Sequence, residues 1–204
     1  TGLRYTRIIG NLSAYFVQEN RTELYQASKY QPNENLSLSL NLRQLLYDGS
    51  RAPFTPSFGL EWGFWNAERH SLRGKSSLSR AFKVPTLNDR FWVPGGNPDI
   101  LPEDSWSAEV GLEHAFENNR TKLTHSITRY RMYVVNWIMW LPKGNIWSPE
   151  NIRAVQNDGL EYQLQLRQSL AQDWILDISA NYAWTRAIQT AAATENDPGL
   201  GMQL

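Results

Sequence analysis

The chain has 204 residues with Lys+Arg 20 and Asp+Glu 20, nine Trp and no cysteine, for a formal net charge of zero. That balance leaves no basic stripe to track phosphates, which excludes nucleic acid as the main partner. The lack of cysteine excludes disulfides and thiolate metal sites and leaves the compartment open. No apolar run approaches the ~20 residues of a transmembrane helix. Strands that alternate apolar and polar also average to a polar mean, so a low hydropathy does not exclude a membrane barrel.

In chain order, Leu12, Ala14 and Phe16 alternate with Ser13, Tyr15 and Val17, and a second strand-like run covers Leu24 to Tyr30. Glu19-Asn20-Arg21 between them is either a turn joining two strands or a kink in one long strand. Gln31-Pro32-Asn33-Glu34 reads as a compact turn, since Pro fixes one φ and Asn tolerates unusual ones. Leu36, Leu38, Leu40 and Leu42 then interleave with Ser37, Ser39, Asn41 and Arg43 in a strict period of two. The stretch Asn35 to Leu46 meets the ~9–11 residues that a tilted strand needs to cross a bilayer. Tyr47 to Ser57 is a longer loop, and Phe58, Leu60, Trp62 and Phe64 form the next apolar face. Asn66 to His70 is a short turn before a strand over Ser71 to Phe82.

The stretch Arg80 to Glu103 carries Pro85, Pro94, Pro98, Pro102, Gly95 and Gly96, so it is expected to be neither strand nor helix interior. It is apolar for a linker, with Phe82, Leu87, Phe91, Trp92, Val93, Ile100 and Leu101, and a structureless loop of that length is usually functional. Ser105 to His114 is the following strand, and Glu117-Asn118-Asn119-Arg120 a short turn. Thr121 to Trp140 is one long strand whose alternation breaks near Thr128-Arg129-Tyr130, where a bulge is expected. Leu141 to Glu150 reads as a loop with Trp147 at its tip. Leu160 to Arg167 and Trp174 to Trp184 alternate again around a tight turn at Ala171-Gln172-Asp173, and Ala191 to Pro198 reads as loop.

Short turns therefore fall near residues 31–34, 66–70, 117–120 and 171–173, and long loops near 47–57, 83–104, 141–151 and after 185. An all-β, antiparallel up-and-down meander with short turns at one rim and long loops at the other is the pattern of a transmembrane β-barrel. About eight strands are readable against the ~22 of a plugged transporter barrel, roughly a third of such a wall.

Catalytic constellations are weak. His70, His114 and His125 lie on three different segments without HxH or HxxxH spacing, so no metal site is expected. Glu109 and Glu113 share one strand face; they resemble a glycosidase pair but read better as solvated carboxylates. Gly95-Gly96-Asn97 follows no buried strand and opens no helix, so it is a turn needing positive φ rather than a phosphate cradle. Trp62, Trp65, Trp106, Trp137, Trp140, Trp174 and Trp184 lie near strand ends and read as interfacial girdle aromatics. Trp92 and Trp147 sit inside long loops and serve either ligand contact or loop packing.

Three blocks carry a family resemblance. Arg80-Ala81-Phe82-Lys83-Val84-Pro85-Thr86-Leu87-Asn88-Asp89 with Gly95-Gly96-Asn97-Pro98 and Leu101-Pro102-Glu103 is the first, and Asn136 to Pro142 continuing through Ile146 to Asn151 the second. The third is Asn157-Asp158-Gly159-Leu160-Glu161. In this order and spacing they resemble the late barrel of TonB-dependent outer-membrane receptors, over roughly Asn35 to Trp184. Leu101 stands where that family often has Lys, so no charge is implied at that point.

The resemblance implies part of a large, about 22-stranded transmembrane barrel. Residues 1–204 would then be a fragment of one barrel domain, without the plug domain and terminal strands. It implies the outer membrane of a Gram-negative bacterium and a small-molecule nutrient ligand (a siderophore, cobalamin or an oligosaccharide). It further implies contact with outer-membrane lipid, TonB engaged through a plug segment outside this sequence, and neither enzyme activity nor a cofactor. Trp92, Asn97, Asp99 and Trp147, in the long loops, are the candidate ligand-binding residues. The competing reading is a soluble or cell-surface β-rich carbohydrate-binding module, supported by the Trp-rich loops.

Overall fold

The computed structural model describes residues 1–12, 15–171, 174–191 and 197–203. The strands are β1 (Gly2–Leu12), β2 (Tyr15–Asn33), β3 (Leu36–Tyr47), β4 (Ser50–Arg51), β5 (Thr55–Asn66) and β6 (His70–Lys83), then β7 (Glu103–Glu117), β8 (Thr121–Lys143), β9 (Ile146–Ala171) and β10 (Trp174–Ala191). One helix, α1 (Leu87–Phe91), lies between β6 and β7. The strands form one antiparallel sheet in the order β1-β2-β3-β5-β6-β7-β8-β9-β10, with the two-residue β4 paired to β3. Apart from β4, chain neighbours are sheet neighbours, as in a meander.

Register converts the sequence alternation into two faces. One row runs Ser28–Leu40–Phe58–Leu78–Ala108 across five strands, and the row beside it Leu38–Leu60–Ser76–Val110. The opposite face carries Lys29–Ser39–Gly59–Ser77–Glu109–Tyr130–Gly159–Thr185. The first face is apolar yet open: Val110 is 61% exposed, Tyr182 61% and Leu78 49%. An uncovered apolar face of this extent is an interaction surface. Polar side chains line the other, small at Ser39 and Ser77 and charged at Lys29 and Glu109, and there the Tyr130 ring lies across Gly159 and its hydroxyl meets Thr185 Oγ1 at 2.9 Å. A Cβ on Gly159 would fall 2.1 Å from that ring, which accounts for the glycine in the third block.

Among the described residues, no second layer covers the middle of the sheet. The buried apolar residues Leu45, Ala52, Ile100, Val134, Ile152, Ala154 and Val155 instead gather on the strand ends at the long-loop rim and in the loop there.

Several boundaries differ from those expected. Of the two readings of Glu19-Asn20-Arg21, the turn is not found: the segment runs inside one long strand, β2, and pairs with Ile8, Arg7 and Thr6 of β1. The expected loop over Leu141 to Glu150 is a hairpin, with strand pairing from Lys143↔Ile146 onward and Gly144 at φ +62° in the turn. The bulge expected at Thr128–Tyr130 is absent, since β8 pairs with β9 without interruption from Thr121 to Val135. The register instead skips at Asn136, whose φ is +56°. The strand expected to end near Trp184 continues to Ala191. The turn residues Gln172 and Asp173, and positions 192–196 of the expected terminal loop, lie outside the described residues.

Candidate functional site

The β6–β7 connection carries a helix where none was expected. Thr86 caps it: its hydroxyl accepts from the Asp89 amide at 3.1 Å, while Asp89 Oδ2 accepts from the Thr86 amide at 2.8 Å. This reciprocal arrangement satisfies two amides that a helix start leaves free. Pro85 precedes the cap and Trp92 follows the helix in extended conformation. Gly96 donates to the Trp92 carbonyl at 2.6 Å and Asn97 to the Asp89 carbonyl at 2.8 Å, closing the segment on itself.

The folded loop is lashed in two directions. Towards β1 and β2, Tyr15 Oη donates to Asn88 Oδ1 at 2.7 Å and the Arg90 guanidinium pairs with Glu19. Glu19 also takes Arg21 Nε at 2.5 Å, and its side chain has no solvent exposure. Burial alone pushes the Glu19 carboxyl up, but the hydrogen bonds and charges of Arg90 and Arg21 outweigh it. The net effect is to hold the group below the ordinary carboxylate range.

Towards β8 and β9, Trp140 Nε1 donates to Asp89 Oδ1 at 3.0 Å. The Leu101 amide donates to Asn151 Oδ1 at 2.9 Å, and Asn151 Nδ2 returns a bond to the Leu101 carbonyl at 3.0 Å. Gly95, at φ +118°, lies so close to the Trp147 carbonyl that a Cβ would stand 2.1 Å from it. The loop thus ties β1–β2 to β8–β9 across the ends of β3, β5, β6 and β7.

The four loop residues singled out in sequence separate into two kinds. Trp92 (41% exposed), Trp147 (59% exposed) and Asp99 present open surfaces. Asn97 is committed to the loop itself: its Oδ1 accepts from the Asp99 amide at 3.1 Å and its Nδ2 reaches the Pro149 carbonyl at 3.4 Å. Gly96 abuts the Trp92 backbone and Gly95 the Trp147 carbonyl, so both tryptophans belong to one cluster at this rim. Trp140, expected in an interfacial girdle, is instead a loop anchor through Asp89. Trp62, Trp65, Trp106, Trp174 and Trp184 stay open to the surroundings. Glu19, Arg90, Asp89 and Asn151 were missed in sequence; only the Thr86-x-x-Asp89 capping spacing announced any of them.

On the polar face a shallow groove crosses β2 to β8, lined by Ser37, Ser39, Gly59, Ser77, Gly111 and Thr128. Glu113 is paired with Lys75 Nζ at 2.6 Å, and Glu109 lines the groove. Among the described residues no group of three or more His, Cys, Asp or Glu is placed to hold a metal ion.

The profile of the TonB dependent receptor-like beta-barrel family matches residues 2–201. The chain belongs to that family. Its members are receptors and transporters of the Gram-negative outer membrane. The vitamin B12 transporter BtuB of Vibrio vulnificus is 34% identical over 90 residues, covering 43% of this chain and 14% of that protein. The vitamin B12 transporter BtuB of Photobacterium profundum is 32% identical over 95 residues, 44% of this chain and 15% of that protein.

Among solved structures, the RagAB peptide transporter superposes with a TM-score of 0.69 at 18% identity, over 91% of this chain and 23% of that one. The siderophore receptor PirA from Pseudomonas aeruginosa gives 0.65 at 19% identity, over 87% and 36%. At these identities the superpositions establish the TonB-dependent receptor barrel fold of the wall. The matched part is about a seventh of the length of the curated relatives.

Proposed function

We propose that this chain is a section of the wall and outer rim of an outer-membrane receptor that takes up a scarce small nutrient with energy delivered by TonB. The apolar face meets lipid, the polar face lines the lumen, and the lashed loop with Trp92 and Trp147 forms part of the ligand-facing rim. The plug and the TonB-contacting segment belong to the rest of the receptor. The reading assigns binding and passage rather than catalysis.

The observation that carries it is a single-layer sheet with an uncovered apolar face, crossed at one rim by a pinned loop bearing exposed aromatics. A soluble carbohydrate-binding module would have to hide that face, and among the described residues no second layer covers the middle of the sheet. Among nutrient classes the names of the curated relatives favour a corrinoid.

The full-length receptor tests this. Cells producing it should bind labelled cyanocobalamin at their surface and accumulate it only with TonB present. Trp92→Ala together with Trp147→Ala should weaken binding about tenfold, the loss typical of an aromatic anchor. Accumulation that continues without TonB would overturn the transport reading. Binding of a siderophore or oligosaccharide in place of the corrinoid would keep the transport reading and change the ligand class.

A further inference from the structure

The three histidines, scattered in sequence, meet on the apolar face. They sit on β6, β7 and β8: His114 stands directly opposite His125 and opposite Leu72, two residues from His70. His70 Nδ1 lies 3.0 Å from His114 Nε2, and His114 Nδ1 lies 3.0 Å from His125 Nε2. The His70 and His114 rings stack at 5.3 Å, with Trp65 stacked on the far side of His70 at 6.0 Å and Tyr162 beyond His125 at 6.1 Å. All three are half-buried and lie beside the short turns at 67–69 and 118–120.

Four of the six imidazole nitrogens in this ladder face a neighbouring nitrogen rather than a common centre, so the arrangement is a hydrogen-bonded chain. Three neutral rings satisfy both bonds with parallel tautomers, one ring donating to the next. One added proton fits without breaking either bond. Placed on His114, it lets Nε2–H donate to His70 and Nδ1–H donate to His125. A second proton would cost one of the two bonds wherever it is placed, so the hydrogen-bonded trio has room for one added charge. Imidazole is the side chain suited to change charge between pH 5 and 8.

Among the described residues, that charge has no counter-ion on its own face. The side chains sharing the face around it are Trp65 from β5, Leu72 from β6, Leu112 and Phe116 from β7, Leu123 and Ile127 from β8, and Tyr162 and Leu164 from β9. Glu113, Glu117, Lys122 and Arg167 belong to the opposite face of the strands by register. Thr121 Oγ1 and Gln168 Oε1 bond each other at 2.7 Å. The charged residues of the adjoining turns are Glu68, Arg69 and Arg120, a surplus of one positive charge.

On a lipid-facing wall, the anion available at the height of the short turns is a phospholipid phosphate. We propose that His70, His114 and His125 seat the phosphate of an anionic phospholipid in the leaflet on the short-turn side, the seat forming when the trio takes up one proton. This rests on the apolar face meeting lipid, as proposed above.

The test uses the full receptor in micelles containing equal amounts of short-chain phosphatidylglycerol and phosphatidylcholine, with retained lipid counted by native mass spectrometry. A single charge beside an anionic headgroup favours it about fivefold. Phosphatidylglycerol should therefore be retained about fivefold over phosphatidylcholine at pH 5.5, with the preference lost at pH 8. The preference should also be lost at pH 5.5 in His114→Gln, and excess inorganic phosphate should leave it intact in the wild type.

Equal preference at both pH values, or in wild type and variant, overturns the proposal, and full competition by inorganic phosphate assigns the site to free phosphate instead. Should His114→Gln fail to fold, the wild-type imidazole ¹⁵N signals decide: three independent titrations overturn the shared proton. Retention of neither lipid would count against the lipid-facing wall itself, a failure distinct from equal retention of both.

Discussion

Glu19 is where the rim is held most tightly. Its carboxylate is fully buried between Arg90 of the loop and Arg21 of its own strand, and removing one partner of a buried ion pair typically costs roughly 3–5 kcal/mol because the remaining charge stays uncompensated. Glu19→Ala in the full receptor should therefore raise amide exchange across residues 86–101 while the middle of β7 stays protected. Unchanged exchange in the loop would show that the pair holds nothing down.

The same residue sets a pH response. Its folded carboxyl lies below the ordinary value of about 4.3, so its contribution is complete above that pH and is lost as pH falls through the lower folded value. Acidification below about pH 4 should loosen the loop in the wild type and have a smaller effect in Glu19→Gln. None of this was legible in sequence, because Glu19 and Arg90 stand 71 positions apart and nothing local marks either. Asp89 was half-legible: its spacing from Thr86 announces a cap, but its bond to Trp140, 51 residues on, does not.

At the scale of elements, alternation carried most of the information. The Leu36 to Leu42 run was readable because the register puts Leu38 and Leu40 in apolar rows with Leu60 and Phe58, and Ser39 in a polar row with Gly59 and Ser77, which forces a period of two. The β8–β9 hairpin was misread because Pro142, Gly144 and Pro149 look like loop residues. Pairing of β7 with β8 ends at Val135, and pairing of β10 with β9 ends at Ala154. Beyond those points the outer edges of the β8–β9 ribbon pair with neither β7 nor β10, so proline there costs no ladder bond.

Two measurements test the element assignments. Leu40→Arg in the full receptor should cost ~2–4 kcal/mol if its face meets the middle of the bilayer, and Asn41→Arg on the polar face far less. Equal losses would remove the distinction between the faces. Because this stretch has no cysteine of its own, single cysteines can also report its sidedness. Asp99→Cys should react with an impermeant maleimide on intact cells and Asn119→Cys should not; the reverse labelling would turn the wall upside down.

Taken as a whole, the sheet formed by the described residues is open. β1 and β10 each have a neighbour on one side only, apart from two isolated bridges from Leu200 and Gln203 to the end of β10. Unpaired strand edges template pairing with other chains, and between them stretches an apolar face with Val110, Leu112, Ile127 and Tyr182 all exposed. Closing such a sheet on itself would require its first and last strands to pair at a consistent tilt and shear. The loop across β3 to β7 pins only the rim and leaves the edges free. The chain made alone should therefore associate, or need detergent, at concentrations where a soluble domain of this size stays monomeric. Sedimentation velocity in detergent-free buffer reads this directly. A sharp monomer boundary with well-dispersed amide signals would mean that the apolar face is covered in solution, and the soluble binding module would then displace the receptor wall.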